Sequence, residues 1–103
     1  QAAEKKEPAA VLSFLKGGEG EIVLSKKLIK IGKDDSNDVI VSGFMVGKTA
    51  ATISKRPTGY FLSYVEGMAK PKVNGRAVKD TAQIKEFDKI EIGSATFEFI
   101  LKE

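Results

Sequence analysis

The chain contains neither cysteine nor histidine. The first absence removes disulfides, thiolate metal sites and thiol nucleophiles together. The second narrows function further, because histidine is the commonest general base near neutral pH and the commonest transition-metal ligand. An enzyme built from this sequence would need paired carboxylates, a lysine base or a carboxylate-bound hard cation. No apolar run approaches the roughly 20 residues that a spanning helix requires. Excess charge is also scarce: 17 basic residues stand against 14 acidic ones, a net charge of +3. That balance suits a local anion site but not the dense basic footprint of a nucleic-acid binder. The pairs Lys55-Arg56 and Lys5-Lys6 are too short to change that reading. No cofactor or metal is expected, and no nucleic acid.

What remains is ordinary soluble composition, 42% hydrophobic and 30% charged over 103 residues, enough for one domain with one modest core. Residues 1–10 hold Ala, Glu, Lys and Pro8 with no large apolar side chain, so they read as a solvated linker or tail. The domain is expected over residues 11–103. An opening without Met and without an apolar leader leaves two readings, a segment of a longer protein or a processed terminus.

From Val11 onward, short apolar runs alternate with Gly, Asn, Asp and Ser. Ile22 and Leu24, Ile29 and Ile31, Val39 and Val41, Ile90 and Ile92, and Phe97 and Phe99 each fall two residues apart, the period of a half-buried strand. Gly93-Ser94 between the last two runs is a hairpin signal. Strands at this spacing without long amphipathic helices predict an antiparallel β-sandwich or barrel. One local competitor exists: Asp80 to Phe87 could form a short helix capped by Asp80 or Thr81. The acidic turn Asp34-Asp35-Ser36-Asn37-Asp38 looks superficially like a calcium loop, but it lacks the central Gly and the downstream bidentate Glu. Asx-type turn residues explain it better.

Six fragments, in order, resemble the forkhead-associated domain: Ile31-Gly32-Lys33, Asn37-Asp38-Val39-Ile40-Val41, Val46 to Ile53, Gly59-Tyr60-Phe61-Leu62, Val73-Asn74-Gly75 and Ile90-Glu91-Ile92-Gly93. The resemblance implies a sandwich of about eleven strands whose loops at one end read phosphothreonine peptides. At the positions that would touch such a peptide, this sequence departs from the family. The family's Ile-Gly-Arg has Lys33 in place of arginine, which keeps the charge but loses the planar fork. Its Ser-x-x-His motif falls on Gly47-Lys48-Thr49-Ala50, so the phosphate-binding hydroxyl and the bracing imidazole are both missing. Its Ser-x-Asn-Gly-Thr segment falls on Gly67-Met68-Ala69-Lys70-Pro71, so the peptide-holding amide has become Ala69. Val73-Asn74-Gly75 is kept as a tight turn. Phe87 replaces a common glycine before Asp88, leaving that turn's conformation open.

The resemblance therefore implies a scaffold retained around a degenerate site. The expected function is a non-catalytic protein-protein interaction module, of the kind used in signalling, that lacks phosphothreonine recognition and belongs to a larger protein. The alternative is a weak or atypical phosphothreonine reader using Lys33, Lys48 and Thr49, with a carboxylate hydrolase a distant third. Candidate partner-binding residues are Lys33, Gly47, Lys48, Thr49, Ala69 and Lys70. The partner is expected to be a protein, acidic or phosphorylated, the isolated domain monomeric, and the compartment cytoplasmic. The run Phe44-Met45-Val46 stands in a loop that the family fills with polar residues. Val46 is expected in the core, with Phe44 and Met45 open between packing and partner contact.

Overall fold

Each alternating run becomes a strand in the computed structural model, which describes residues 9–102. The strands are β1 Ala9–Lys16, β2 Glu21–Val23, β3 Leu28–Gly32, β4 Val39–Ile40, β5 Ala51–Arg56 and β6 Gly59–Tyr64, followed by β7 Lys72–Val73, β8 Arg76–Ala77, β9 Thr81–Ile84, β10 Lys89–Ile92 and β11 Ala95–Lys102. They form a six-stranded sheet in the order β2-β1-β11-β10-β7-β8 and a five-stranded sheet in the order β4-β3-β5-β6-β9. The all-β sandwich of eleven strands stands as expected. One pair differs from the antiparallel rule: β4 runs parallel to β3, with Ile31 opposite Val39 and Gly32 opposite Ile40. The 33–38 loop folds back along the edge of β3 to place it there, with the Asp38 N–H donating to the Lys30 carbonyl at 2.9 Å.

The core lies between the sheets. Ile31, Ile53, Leu62, Ile90, Ile92, Phe97 and Phe99 are fully buried. The two aromatics from β11 extend it to both sides: Phe97 lies 4.6 Å from the Phe14 ring and Phe99 5.2 Å from the Tyr60 ring, each pair tilted, as ring quadrupoles prefer. Val46 joins this core. Ile22 is only half-buried, because β2 is a three-residue edge strand with one neighbour. Leu24, just beyond β2, is buried instead.

Two expectations need correction. The first strand reaches two residues further back than Val11: Ala9 and Ala10 lie in β1, opposite Lys102 and Leu101 of β11, and Ala10 is buried. Alanine carries no strand signal of its own, so the pairing with β11 decides its conformation. The rest of the expected tail, residues 1–8, lies outside the described residues. The helix considered over 80–87 is a strand, since β9 pairs with β6 from Tyr60↔Ile84 to Ser63↔Thr81. Long-range pairing overrides the local capping signal there.

The turns follow the chemistry of their residues. Asn74 and Gly75, at φ 52° and 87°, join β7 to β8 in the both-positive arrangement typical of Asn-Gly. Phe87 is left-handed as well, at φ 74°, its ring exposed. It holds that conformation because the Phe87 N–H donates to the Phe99 carbonyl at 2.6 Å and the Asp88 carboxylate accepts from the Lys85 N–H at 2.8 Å.

Ile92, fully buried on β10, tests the strand register. Ile92→Ala should lower unfolding free energy by about 2–5 kcal/mol through transfer and cavity terms. Ile40→Ala, on the solvent face of β4, should stay within about 0.5 kcal/mol of the parent. Urea denaturation of both variants reads the difference.

Candidate functional site

The site is built from the ends of strands. Gly32 closes β3 against the chain entering β5, and a Cβ at that position would collide with the Lys48 carbonyl and with the Thr49 backbone. Only glycine permits this approach. The two segments are then joined by main-chain bonds: the Lys33 N–H donates to the Gly47 carbonyl at 3.1 Å and the Asp34 N–H to the Lys48 carbonyl at 3.2 Å. Asn37, the single buried polar side chain among the described residues, fastens them further. Its amide donates to the Asp34 carbonyl at 2.8 Å and to the Lys48 carbonyl, while its oxygen accepts the Thr49 hydroxyl at 2.8 Å.

A third segment, between β6 and β7, closes over the second. Val46 and Gly67 form an antiparallel bridge, and the Ala69 N–H donates to the Met45 carbonyl at 3.0 Å. The Tyr64 hydroxyl donates to the Gly67 carbonyl. The Lys70 ammonium lies 5.2 Å from the centre of the Tyr64 ring, within cation–π range. Glu66 reaches across to the second segment at the surface: its carboxylate accepts the Lys48 N–H at 3.0 Å. Gly47 is hemmed in by the same residue, since a Cβ there would stand 2.7 Å from the Glu66 Cγ and 2.7 Å from its carbonyl oxygen.

The acidic turn directs its oxygens at the protein. Asp34 accepts from the Ser36 hydroxyl and from the Ser36 N–H, which hold its carboxyl below the ordinary value. Asp38 accepts from the Lys26 ammonium at 2.5 Å and from the Lys30 N–H at 2.9 Å, and these in turn lower its pKa. The two carboxylates are thereby committed to the turn and to β3.

All six candidate residues come to this end of the sandwich. Lys33 and Lys48 are exposed on adjoining loops, Gly47 and Thr49 are half-buried between them, and Ala69 and Lys70 stand on the third. Thr49 is not available as an anion ligand in the way proposed from sequence, because its hydroxyl proton is given to Asn37. Ala50 is fully buried, with its N–H on the Ile31 carbonyl at 2.8 Å. The residue that sequence reasoning missed is Glu66. No motif or spacing marks it, and its contact with Lys48 bridges two loops 18 residues apart.

No protein-family model matches the chain, and no curated protein matches it. Solved structures do. EmbR of Mycobacterium tuberculosis, in complex with a low-affinity phosphopeptide, superposes with a TM-score of 0.88 at 19% identity over 99% of this chain. The FHA domain of CT664 from Chlamydia trachomatis gives 0.79 at 17% identity over 89% of this chain and 96% of its own. The FHA domain of a hypothetical protein from Arabidopsis thaliana gives 0.83 at 13% identity over 100% of this chain and 96% of its own. The chain has the forkhead-associated fold. It spans 27% of the EmbR chain and nearly the whole of the isolated FHA domains. Within this fold the departures noted from sequence cluster in space: Gly47, Ala50 and Ala69 lie on the segments joined by the Val46 to Gly67 bridge and the Ala69 to Met45 bond.

Two tests address the loop scaffold. Asn37→Ala removes one of the two donors to the Lys48 carbonyl and the acceptor of the Thr49 hydroxyl, so it should cost about 1–3 kcal/mol, read by urea denaturation, and should speed hydrogen exchange of the 33–50 segment. Asp38 has a folded pKa below its ordinary 3.8, so its contribution is full above that value and is lost as pH falls through the folded pKa. Thermal midpoints measured down an acid series should therefore drop on the acid limb, and Asp38→Asn should make that drop shallower.

Proposed function

We propose that this domain is a non-catalytic protein-interaction module whose loop end binds a partner without reading phosphothreonine. One observation carries the reading: the Lys48 N–H, on the loop where the family binds phosphate, already donates to the Glu66 carboxylate. An arriving phosphate would have to displace that carboxylate and then stand beside its negative charge. Like charges at that range oppose each other. The missing hydroxyl at Gly47 and the missing amide at Ala69 remove two groups that would offset the cost. The absence of histidine and cysteine supports a non-catalytic role. EmbR, a longer chain of which 27% superposes on this one, supports placing such a domain within a larger protein.

The second reading, a weak phosphothreonine reader, is favoured by the exposed Lys33 and Lys48 on adjoining loops. Their attraction for a dianion is screened at such exposed positions and falls with salt. Calorimetric titration of a phosphothreonine peptide at physiological salt separates the two. The expected dissociation constant is in the millimolar range, about −4 kcal/mol, and nearly the same for phosphoserine. Glu66→Gln should tighten phosphopeptide binding by about twofold to tenfold, the worth of one charge and one charge-assisted bond at a wet site. Gly47→Ser alone should not restore it, because the new Cβ meets Glu66 at 2.7 Å. Micromolar binding by the parent domain that needs both the phosphate and the threonine methyl would overturn the proposal.

A further inference from the structure

The bridge between Val46 and Gly67 brings two loop segments side by side. Val46 points into the core, whereas its neighbour Met45 and Gly67's neighbour Met68 stay at the surface. The Ala69 N–H on the Met45 carbonyl holds the two segments together. Both methionines are exposed, Met68 by 77%, and Phe44 beside them is 92% exposed. Three large exposed apolar side chains thus stand on two segments bonded to each other, as a ridge at the edge of the loops. Packing inside the domain does not account for it, and a soluble surface ordinarily keeps such groups apart.

The ridge borders a groove of about 620 Å³ lined by Met68, Ala69 and Lys70 on one side. Its floor is a single cross-strand row on the outer face of the six-stranded sheet. Lys16 lies opposite Thr96, Thr96 opposite Glu91, Glu91 opposite Lys72, and Lys72 opposite Ala77. Glu91 is flanked by Lys72 in that ladder, which leaves Lys16 and Lys70 as uncompensated cations of the groove. The groove is therefore cationic at its sides and apolar at its lip. A concave cleft of this kind fits a chain better than the plane of a bilayer, and its lysines would repel a second copy of itself.

We infer that the Phe44–Met45–Met68 ridge and the adjoining groove form a docking surface for an unphosphorylated acidic segment of a partner protein, with a large apolar side chain seated on the methionines. Methionine thioethers suit that task because they adapt to different apolar shapes. Carboxylates on either side of the anchor would meet Lys16 and Lys70, giving the segment both orientation and a faster approach. This surface rests on the reading of the domain as a partner-binding module and names the chemistry of that partner.

The test is selection from a random dodecapeptide display library on the wild-type domain. The best binder is then titrated as a synthetic peptide against Phe44→Ser/Met68→Ser, Lys16→Glu/Lys70→Glu and, as a control on the other sheet, Leu28→Ser. Selected sequences should carry Asp or Glu around one large apolar residue. Both double variants should weaken binding by about tenfold or more, Leu28→Ser should not, and urea midpoints should stay close to the parent because every altered side chain is exposed. Selection of neutral or basic peptides, no enrichment at all, or binding unchanged in the ridge variant would overturn the inference. So would ridge-dependent binding to phosphatidylserine vesicles in preference to any peptide, or ridge-dependent dimerisation in sedimentation. Failure of the broader reading looks different: it would be tight phosphothreonine binding by the wild type that the ridge variant leaves intact.

Discussion

At the loop end of the sandwich, the Asn37 side chain bonds to the main chain of its own turn, to the Lys48 carbonyl and to the Thr49 hydroxyl. A short amide in a buried position adds side-chain bonds to the two main-chain bonds that already join the segments. The placement of Lys33 beside Lys48 follows from it. Move the 47–50 segment away from the 33–38 loop, and the Lys48 N–H no longer meets the Glu66 carboxylate. Because Asn37 is buried, none of its three bonds can be exchanged for water without cost, so the loops behave as one body.

That rigidity gives the substitutions at Gly47, Ala50 and Ala69 their meaning. They do not loosen the fold: Ala50 is fully buried, Gly47 fits where a larger residue would strike Glu66, and Ala69 completes a main-chain bond to Met45. The forkhead-associated fold is kept with glycine or alanine at these three positions. Glu66 supplies the Lys48 N–H with a negative partner.

How much of this the sequence disclosed depends on the range of the interaction. Ile90 and Ile92, or Phe97 and Phe99, announce their face by alternation, because the two-residue period is a local property. Asn74-Gly75 announces its turn because positive φ is a property of the residues themselves. Ala9 and Ala10 were hidden, since their strand exists only through Leu101 and Lys102 at the far end of the chain. The parallel placement of β4 and the strand at 81–84 were hidden for the same reason. At the site, the missing family ligands could be read directly off Gly47, Ala50 and Ala69. Asn37 as a tether and Glu66 as an internal anion could not, because each acts across 11 to 18 residues through contacts that leave no periodic trace.

The pairing of Ala9 with Lys102 also fixes how this body can be attached to anything else. The first and last described residues stand side by side, and β1 runs roughly 20 Å from there before Lys16 reaches the groove beside Met68. A unit whose ends meet can be grafted into a surface loop of a host without prising the host apart. It would hang there like a pendant on a double thread, with its ridge and loops turned outward from the point of suspension.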